Sequence, residues 1–480
     1  MTTDTLRPDR GAAILALGFG TTVGMWTTGY ACRLFGDAVP APAVFALLLV
    51  VLLLGGWVAG RLAPGGSRVA LAGGLVTGIL NLLLVGSLLG GSAPNTVKQG
   101  ALLWIAGTLA VCTAGVFGGA VIGRALRRSS GPTRAVDWPG ALAGVAAVAT
   151  FVLLAVGGLV TGFDEGLAVV DWPNTEGYNM FLYPLARMTG GVYLEHSHRL
   201  FGSLVGLTTL VLAIHTQFTS RTRGTKLLVW AALLMVVIQG VLGGLRVTGR
   251  LTLATDPAGT DPNIALAIIH GVFGQLVFAA LVVAAVIRTR RWADAGEPVE
   301  TPTASTDSFF GVALVVALIL QLVLGALVRH FTWALDILRY GLPIDPQRLI
   351  AIGQHMLSMH ITFAVVVVLV AVGVGVRAWG FYRQVPALRR WGVTLLWLAG
   401  VQVALGIAAL TVTGNDALDR RPAALDVAIT TTHQMVGAAM LACAVSLVLW
   451  NYRLLRVTRP SAAVARVAMR IPGAAGGMPQ

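Results

Sequence analysis

Charged side chains are scarce in this chain. Of its 480 residues only 11% are Asp, Glu, Lys or Arg, whereas 56% are hydrophobic, and the mean hydropathy is +0.80. Soluble domains carry about 25% charged residues, so a soluble globular protein is excluded. The net charge of +14 does not indicate nucleic-acid binding, because the basic residues are spread over alternate loops and form no single basic face.

Cysteine is also scarce. The three cysteines, Cys32, Cys112 and Cys443, lie in or near apolar stretches, and none belongs to a C-x-x-C or C-x-x-C-H pattern. Those patterns are typical of zinc sites, redox motifs and covalent heme attachment. Covalently attached heme and iron–sulfur clusters are therefore not supported.

Long apolar runs are what the chain has in abundance. A helix that crosses a bilayer needs about 20 mostly apolar residues, and twelve such runs are separated by short polar stretches. The 59 glycines suit close helix packing in lipid. The sequence therefore predicts an all-α integral membrane protein with about twelve transmembrane helices. The predicted spans are 11–32, 40–60, 69–91, 101–123, 138–161, 193–219, 227–245, 264–288, 308–329, 351–376, 391–412 and 427–451.

The basic residues predict the orientation of these spans. They cluster in every second loop, and loops with an excess of Arg and Lys face the cytoplasm. Both termini fall on that side, so we expect both to be cytoplasmic. The first span lacks a small-residue cleavage site and is therefore interpreted as uncleaved. The opposite loops, called outer below, lie at 163–190, 247–262, 330–350 and 413–426.

Two hydrophilic stretches divide the chain. The basic, Ser-, Gly- and Pro-rich stretch at 124–137 separates four spans without histidine from the remaining eight, and a stretch at 289–307 divides those eight into two groups of four. Four regions are predicted. They are an N-terminal four-span block at 1–135, a first four-helix bundle at 136–290, a cytoplasmic linker at 291–307, and a second four-helix bundle with a basic tail at 308–480.

The two groups of four spans carry the same histidine pattern. His198 and His270 are 72 residues apart, His360 and His433 are 73 apart, and the halves are offset by 162 or 163 residues. Self-similarity at a fixed offset indicates a duplicated unit. We therefore predict two tandem, pseudo-symmetric four-helix bundles preceded by four extra helices, with all four histidines in the outer leaflet. The same offset of 163 relates Gln239 to Gln402, Gly243 to Gly406 and Gly274 to Gly437.

A histidine inside a membrane needs a partner or a cofactor. An interhelical hydrogen bond explains a single such residue, but four at repeated positions, each followed one turn later by a small residue, favour two heme sites with two axial histidines each. Zinc sites draw on three or four converging ligands, so two histidines per bundle fit zinc less well. The small residues are Gly202, Gly274, Ala364 and Gly437.

One position distinguishes the two bundles. Glu195 stands three residues before His198, whereas Leu357 stands three residues before His360. A carboxylate beside an axial ligand can move protons or stabilise positive charge, and leucine can do neither. We infer one reactive site and one electron-holding site. The alternative for Glu195 is a helix-end carboxylate exposed to water.

Further polar residues lie near the outer helix ends. Arg199, Arg246 and Arg329 are candidates for pairing with heme propionates, and interfacial anchoring is the alternative. Four other histidines have no partner at the repeat offset and are interpreted as loop or boundary residues. They are His196, His215, His330 and His355.

Two strings resemble a known family. EHSHRL at 195–200 resembles the E-x-x-H-R motif of heme A synthases, and TGFDEGLAVVDWP at 161–173 resembles that family's glycine-leucine and Asp-Trp-Pro signature. The resemblance covers roughly residues 138–451. It implies axial ligation of two heme irons by the four repeated histidines. By this resemblance the substrate heme O is bound by His198, His270 and Arg199, Glu195 takes part in catalysis, and a heme b cofactor is ligated by His360 and His433.

The reaction implied by the resemblance oxidises the C8 methyl of heme O to a formyl group, which yields heme A for terminal oxidases. The implied location is a bacterial inner membrane. The implied partners are membrane lipid, heme O and heme A, a heme O synthase, cytochrome oxidase assembly factors and an unidentified electron acceptor.

The chain departs from the family pattern in three places. The loop after Asp-Trp-Pro, NTEGYNMFLYPLARMTGG, lacks the cysteine pair that many bacterial members carry; His360 is followed by Ile361 rather than arginine, with a degraded Asp-Trp-Pro equivalent around 331–347; and the first four spans are additional. Two other classes stay open. One is a diheme b-type cytochrome that exchanges electrons with quinol, and the other is a transporter, for which tandem repeats are common.

Overall fold

The chain is described by a computed structural model over residues 9–126, 136–248, 264–332, 346–413 and 423–458. Nearly all of these residues lie in helices. The helices are α1 (Arg10–Leu34), α2 (Ala41–Leu62), α3 (Gly66–Leu89), α4 (Ala101–Ala125), α5 (Trp138–Gly162), α6 (Gly190–Thr219), α7 (Arg223–Thr248), α8 (Ile264–Ile287), the short α9 (Arg290–Ala293), α10 (Ala304–Thr332), α11 (Pro346–Gly380), α12 (Pro386–Thr413) and α13 (Ala424–Leu454).

Eleven of the described helices, α2 to α8 and α10 to α13, are long and apolar enough to cross a membrane. This confirms the predicted all-α, multi-pass membrane fold. The first predicted span, 11–32, also forms a helix of membrane-spanning length, α1, but it falls outside the eleven. Its threonines explain part of the difference, because they are polar yet bond back to their own helix, as Thr22 does to the Gly18 carbonyl at 2.8 Å.

The helices after α4 form two rings of four. In the first ring α5 packs on α6 and α8, and α7 packs on α6 and α8; in the second, α10 packs on α11 and α13, and α12 packs on α11 and α13. Contacts of α13 with α5 and α8, and of α10 with α8, join the two rings. Helices α1 to α4, called the N-terminal block below, pack together and contact the first ring through α1 and α3.

Glycines set the closest packing inside the N-terminal block. Gly56 and Gly60 of α2 lie directly against backbone carbonyls of α4, while Gly119 and Gly123 of α4 lie against backbone carbonyls of α2. A side chain at any of these positions would overlap the facing backbone. Small residues that let two backbones touch are the usual means of helix association in lipid, so the abundant glycine of the sequence is explained here by structure.

The inner end of the second ring is held by a polar network. Asp307 of α10 is 6% exposed and accepts a hydrogen bond from Arg377 Nε of α11 at 2.7 Å. Its other oxygen accepts bonds from Thr303 and from Tyr382. Burial and the bond to Asp307 raise the pKa of Tyr382, so its hydroxyl stays protonated and acts as the donor.

A small sheet, which the sequence did not predict, closes the same end. In the predicted linker, Val299–Thr301 forms a strand, β1. It pairs in parallel with a second strand, β2 (Leu455–Val457), which directly follows α13. The pair joins residues far apart in sequence, and each strand has only three residues. The linker is therefore hydrogen-bonded to the residues that follow the last helix.

Replacement of Asp307 by asparagine is expected to destabilise the second ring. The change leaves the Arg377 guanidinium without its carboxylate, which costs about 2 kcal/mol of unfolding free energy, less than for a wholly buried pair because Arg377 is 29% exposed. Thermal unfolding of the protein in detergent should show a lower midpoint. Glu300→Gln, an exposed change on β1, should leave the midpoint unchanged, and an Asp307→Asn midpoint equal to the native one would contradict the prediction.

Candidate functional site

The structure brings the four repeated histidines together in two pairs. His198 of α6 faces His270 of α8 with ring centroids 6.4 Å apart and ring planes at 79°. His360 of α11 faces His433 of α13, also at 6.4 Å, with ring planes at 68°. Each ring of helices therefore holds one histidine pair, with its members on non-adjacent helices that face each other across the ring.

This spacing fits two ligands of one metal ion. Nitrogens bound on opposite sides of a metal at about 2 Å lie about 4 Å apart, and with each ring centre roughly 1 Å behind its nitrogen the centroids lie about 6 Å apart. Within the described ranges no group of three or more His, Cys, Asp or Glu side chains converges on one point. The geometry thus fits the two axial positions of a heme iron, and the described residues offer no zinc cluster.

Each histidine also faces a glycine on the helix that precedes its own. A Cβ atom built on these glycines would lie only 2.9 to 3.3 Å from the imidazole Cε1, so a side chain there would push the ring. The absence of a side chain therefore fixes where each imidazole lies. The pairs are Gly157 with His198, Gly243 with His270, Gly325 with His360, and Gly406 with His433.

Three of the four histidines have a glutamine beside them. Gln239, Gln321 and Gln402 stand four residues before their glycines, and their amide nitrogens lie 3.4, 3.1 and 3.3 Å from a ring nitrogen of His270, His360 and His433. The repeat between the two halves of the sequence predicted Gln239 and Gln402 but missed Gln321 with Gly325, although the Q-x-x-x-G spacing repeats there. The corresponding position on the fourth helix, four residues before Gly157, is Leu153.

Buried nitrogens at these sites lack protein partners. Nδ1 of His198, His270 and His433 is buried and has no hydrogen-bond partner among the described residues. Buried polar atoms are normally satisfied, so unsatisfied ones at matched positions are typical of a site completed by a ligand. The residues present therefore fit a porphyrin held by two imidazoles in each ring.

The small residues one turn after the histidines have different neighbours. Gly202 borders open space, whereas Gly274 and Gly437 lie against the amide nitrogens of Gln239 and Gln402. Of these three glycines, only Gly202 provides the free gap that the sequence pattern suggested. The other two make room for the glutamines instead.

Helix α5 lies between the two histidine pairs. Gly157 faces His198 of the first ring, and the next residue, Gly158, lies against Thr431 and Gln434 of α13, directly beside His433. One turn on, Gly162 lies against Val427 of α13. The two rings therefore meet where α5 packs on α13, with no side chain of α5 at the point of contact.

Glu195 is buried rather than exposed. It is 4% exposed; Oε1 accepts a bond from Arg199 at 2.7 Å and Oε2 accepts one from the Val169 amide at 2.9 Å. The alternative of a water-exposed helix-end carboxylate is therefore wrong. Glu195 lies one helical turn before His198, under the loop at 163–189, which we call the outer loop.

Arg199 anchors the outer loop to α6. Its guanidinium donates to the carbonyls of Val169, Asp171 and Asn174 at 2.8, 2.6 and 2.7 Å, besides Glu195. Four of its five N–H groups are thus engaged within the protein, which favours a role in positioning the loop. Binding of substrate heme by Arg199 stays a prediction.

The other two candidate arginines also contact the α5 end and the outer loop. Arg329 donates to the carbonyls of Thr161 and Gly162, the latter at 3.1 Å. The guanidinium of Arg246 lies against Gly166. Pairing of either arginine with a heme propionate stays a prediction.

The Asp-Trp-Pro string shapes the outer loop. Asp171 is buried and accepts bonds from the amides of Glu176 and Gly177, both at 2.8 Å, which closes a turn. Trp172 packs its indole on Gly244, next to Gly243. The loop is thereby seated on α7 beside the glycine that faces His270.

The remaining histidines have varied positions. His196 was interpreted as a boundary residue, but it is wholly buried, with Nδ1 3.0 Å from Thr175 Oγ1 and its ring beside Tyr183. His215 lies 3.0 Å from Asp9 at the inner end. His355 is exposed, as expected for a boundary residue, and His330 is half-buried.

Comparison with known proteins identifies the family. The COX15-CtaA family, described as cytochrome oxidase assembly protein, matches residues 140–445. The chain belongs to this family of cytochrome oxidase assembly proteins. No curated protein matches the chain in a sequence search. The matched region contains nearly all of both rings of helices and all four paired histidines, whereas α1 to α4 lie outside it.

Proposed function

We propose that this cytochrome oxidase assembly protein is a heme A synthase, which oxidises the C8 methyl of heme O to a formyl group. The observation that carries the proposal is the difference between two otherwise matched histidine pairs. One pair has a buried, hydrogen-bonded carboxylate, Glu195, one turn away, and the other has leucine there. Family membership and the heme-like spacing of both pairs support it.

The first ring is the proposed reaction site. His198 and His270 would hold the iron of the substrate heme O. Oxidation of a methyl to a formyl group, with water as the source of the oxygen, releases protons and passes electrons to an acceptor, so a base beside that carbon assists the reaction. Glu195 would accept a proton at a carboxylate oxygen, and Arg199 would keep that carboxylate oriented.

The second ring is the proposed electron-transfer site. His360 and His433 would hold a heme b, which when bound supplies one-electron redox chemistry. Helix α5, with its adjacent Gly157 and Gly158, would keep the two sites close together. A bacterial inner-membrane location with cytoplasmic termini, and cooperation with a heme O synthase and other assembly factors, are part of the proposal.

The proposal is tested by the hemes that cells make. Cells expressing the chain with a heme O synthase should accumulate heme A, identified by acid extraction and chromatography. His198→Ala with His270→Ala should stop heme A formation and retain heme b, whereas His360→Ala with His433→Ala should remove heme b. A native protein that binds only heme B would favour the diheme cytochrome, and a colourless one would favour a transporter; either result would contradict the proposal.

A further inference from the structure

The N-terminal block touches the outer loop through two glycines. Gly86 lies against the carbonyl of Phe181, and Gly90, at the end of α3, lies against the carbonyl of Leu182. A Cβ atom at either glycine would overlap that oxygen. The outer loop is therefore seated directly on the backbone of the block, with no side chain between them.

Hydrogen bonds fasten the same stretch of the loop. The Tyr178 hydroxyl donates to the Ser92 carbonyl at 2.9 Å, and the Asn179 amide donates to Asn95 Oδ1 at 3.0 Å. Ser92 and Asn95 belong to the connection between α3 and α4. Each bond joins the N-terminal block to a loop residue more than 80 positions later in the chain.

A third contact comes from the outer end of α1. Arg33 donates to the Met188 carbonyl at 2.9 Å, and its guanidinium lies 5.3 Å from the ring centroid of Tyr193. The ring of Tyr193 stacks on Tyr30 at 5.4 Å, and its hydroxyl donates to the Tyr30 carbonyl at 3.0 Å. Tyr193 lies two residues before Glu195 on α6.

Hydrogen bonds within the outer loop connect it to Glu195 on α6. Tyr183 donates to Glu176 at 2.7 Å, and burial together with that bond raises the pKa of Tyr183, so the hydroxyl stays protonated. The amide of Glu176 in turn binds Asp171, whose carbonyl binds Arg199. Hydrogen bonds through Tyr183, Glu176, Asp171 and Arg199 therefore connect the part of the loop that contacts the N-terminal block to the carboxylate of Glu195.

We infer that the N-terminal block, which lies outside the family match, is a clamp that holds the outer loop closed over Glu195. Its positioning residues are Arg33, Gly86, Gly90, Ser92 and Asn95. The clamp limits access of water and reagents to the carboxylate and keeps Glu195 and Arg199 in register with the loop. Its consequence for heme A formation rests on the proposed function, whereas its effect on the loop does not.

The clamp is tested by chemical labelling of Glu195 in the full-length, heme-loaded protein. A water-soluble carbodiimide with glycine ethyl ester modifies accessible carboxyl groups, and peptide mass spectrometry resolves each site. Arg33→Ala is expected to raise the labelling rate of Glu195 by about tenfold, the factor expected for loss of one charge-assisted bond. Gly90→Val, which would push away the Leu182 carbonyl, is also expected to raise it. Amide hydrogen exchange at residues 169–188 should accelerate in parallel.

Matched variants separate the clamp from general damage to the fold. Arg61→Ala removes another arginine of the block, bonded to the Leu126 carbonyl at the inner end, and Gly107→Val adds a side chain where no atom lies within 4 Å. Both should label like the native protein. Arg33→Lys, which keeps a donor for the Met188 carbonyl, should restore most of the protection, and heme absorbance should stay native in every variant.

The outcomes are distinct. Native labelling of Glu195 in both Arg33→Ala and Gly90→Val would overturn the clamp, and because Arg33 is exposed, its loss requires no repacking of the core. Faster labelling that the control variants do not share would support the clamp. Faster labelling with an unchanged rate of heme A formation would leave the clamp intact and contradict its consequence for heme A formation.

Discussion

Glu195→Gln is expected to lower heme A formation at least about a hundredfold, the lower range for loss of a general base. Glutamine keeps the size of the side chain and one acceptor for Val169 or Arg199, but it cannot take up a proton. The ratio of heme A to heme O in extracts from cells supplied with heme O measures the effect. Heme O should accumulate in place of heme A.

The matched control for this variant is Glu176→Gln. Glu176 lies in the same outer loop and accepts a bond from Tyr183, which a glutamine oxygen can also accept. Its replacement should leave heme A formation within about twofold of native, as expected for a surface change. Equal activities of Glu195→Gln and the native protein, with both hemes bound, would show that Glu195 is not the base.

Gly406→Val is expected to remove the heme of the second ring while the first ring keeps its own. The valine methyls would occupy the space of the His433 imidazole, whose Cε1 lies only 3.3 Å from a Cβ at this position. Displacing a ligand in this way costs about 10- to 100-fold in metal affinity. The bound heme content, measured from the absorbance of pyridine-treated protein, should fall by about half.

The repeat supplies both the mirror experiment and its control. Gly243→Val, at the corresponding position beside His270, should instead affect the first ring and leave the heme b signal. Gly240 and Gly400 lie on the same two helices with no atom within 4 Å of an added Cβ. Valine at these positions should leave heme content native, and loss of both hemes from Gly406→Val alone would contradict independent ligation of the two rings.

The helices were predictable because the signal is local. A run of about 20 apolar residues between polar stretches is sufficient to indicate a span, and eleven predicted spans match long apolar helices. The four histidines were found by their repeated spacing, which is also readable along the chain. Span 11–32 forms a helix but is not among the eleven, because threonine lowers its hydropathy. Its burial against other helices depends on packing, which local hydropathy does not encode.

The neighbours of the histidines could not be predicted in the same way. Gly157 and Gly325 lie on different helices from His198 and His360, and a spacing of several tens of residues carries no information until the helices are packed. The Q-x-x-x-G spacing at Gln321 could have been found by searching within each bundle. The bonds of Arg199 to outer-loop carbonyls and the burial of His196 depend on the loop path, which hydropathy does not encode.

The close contact of α5 with α13 limits how the duplicated halves can diverge. Gly157 faces His198, and the next residue, Gly158, lies against α13 of the second ring, so a side chain gained at either one shifts α5 and changes its contact with the other ring. Each half of an ordinary tandem duplication is free to drift once its partner retains the original activity. Here the first ring packs directly on the second through α5 and α13, so a change at Gly157 or Gly158 in one half also alters its contact with the other.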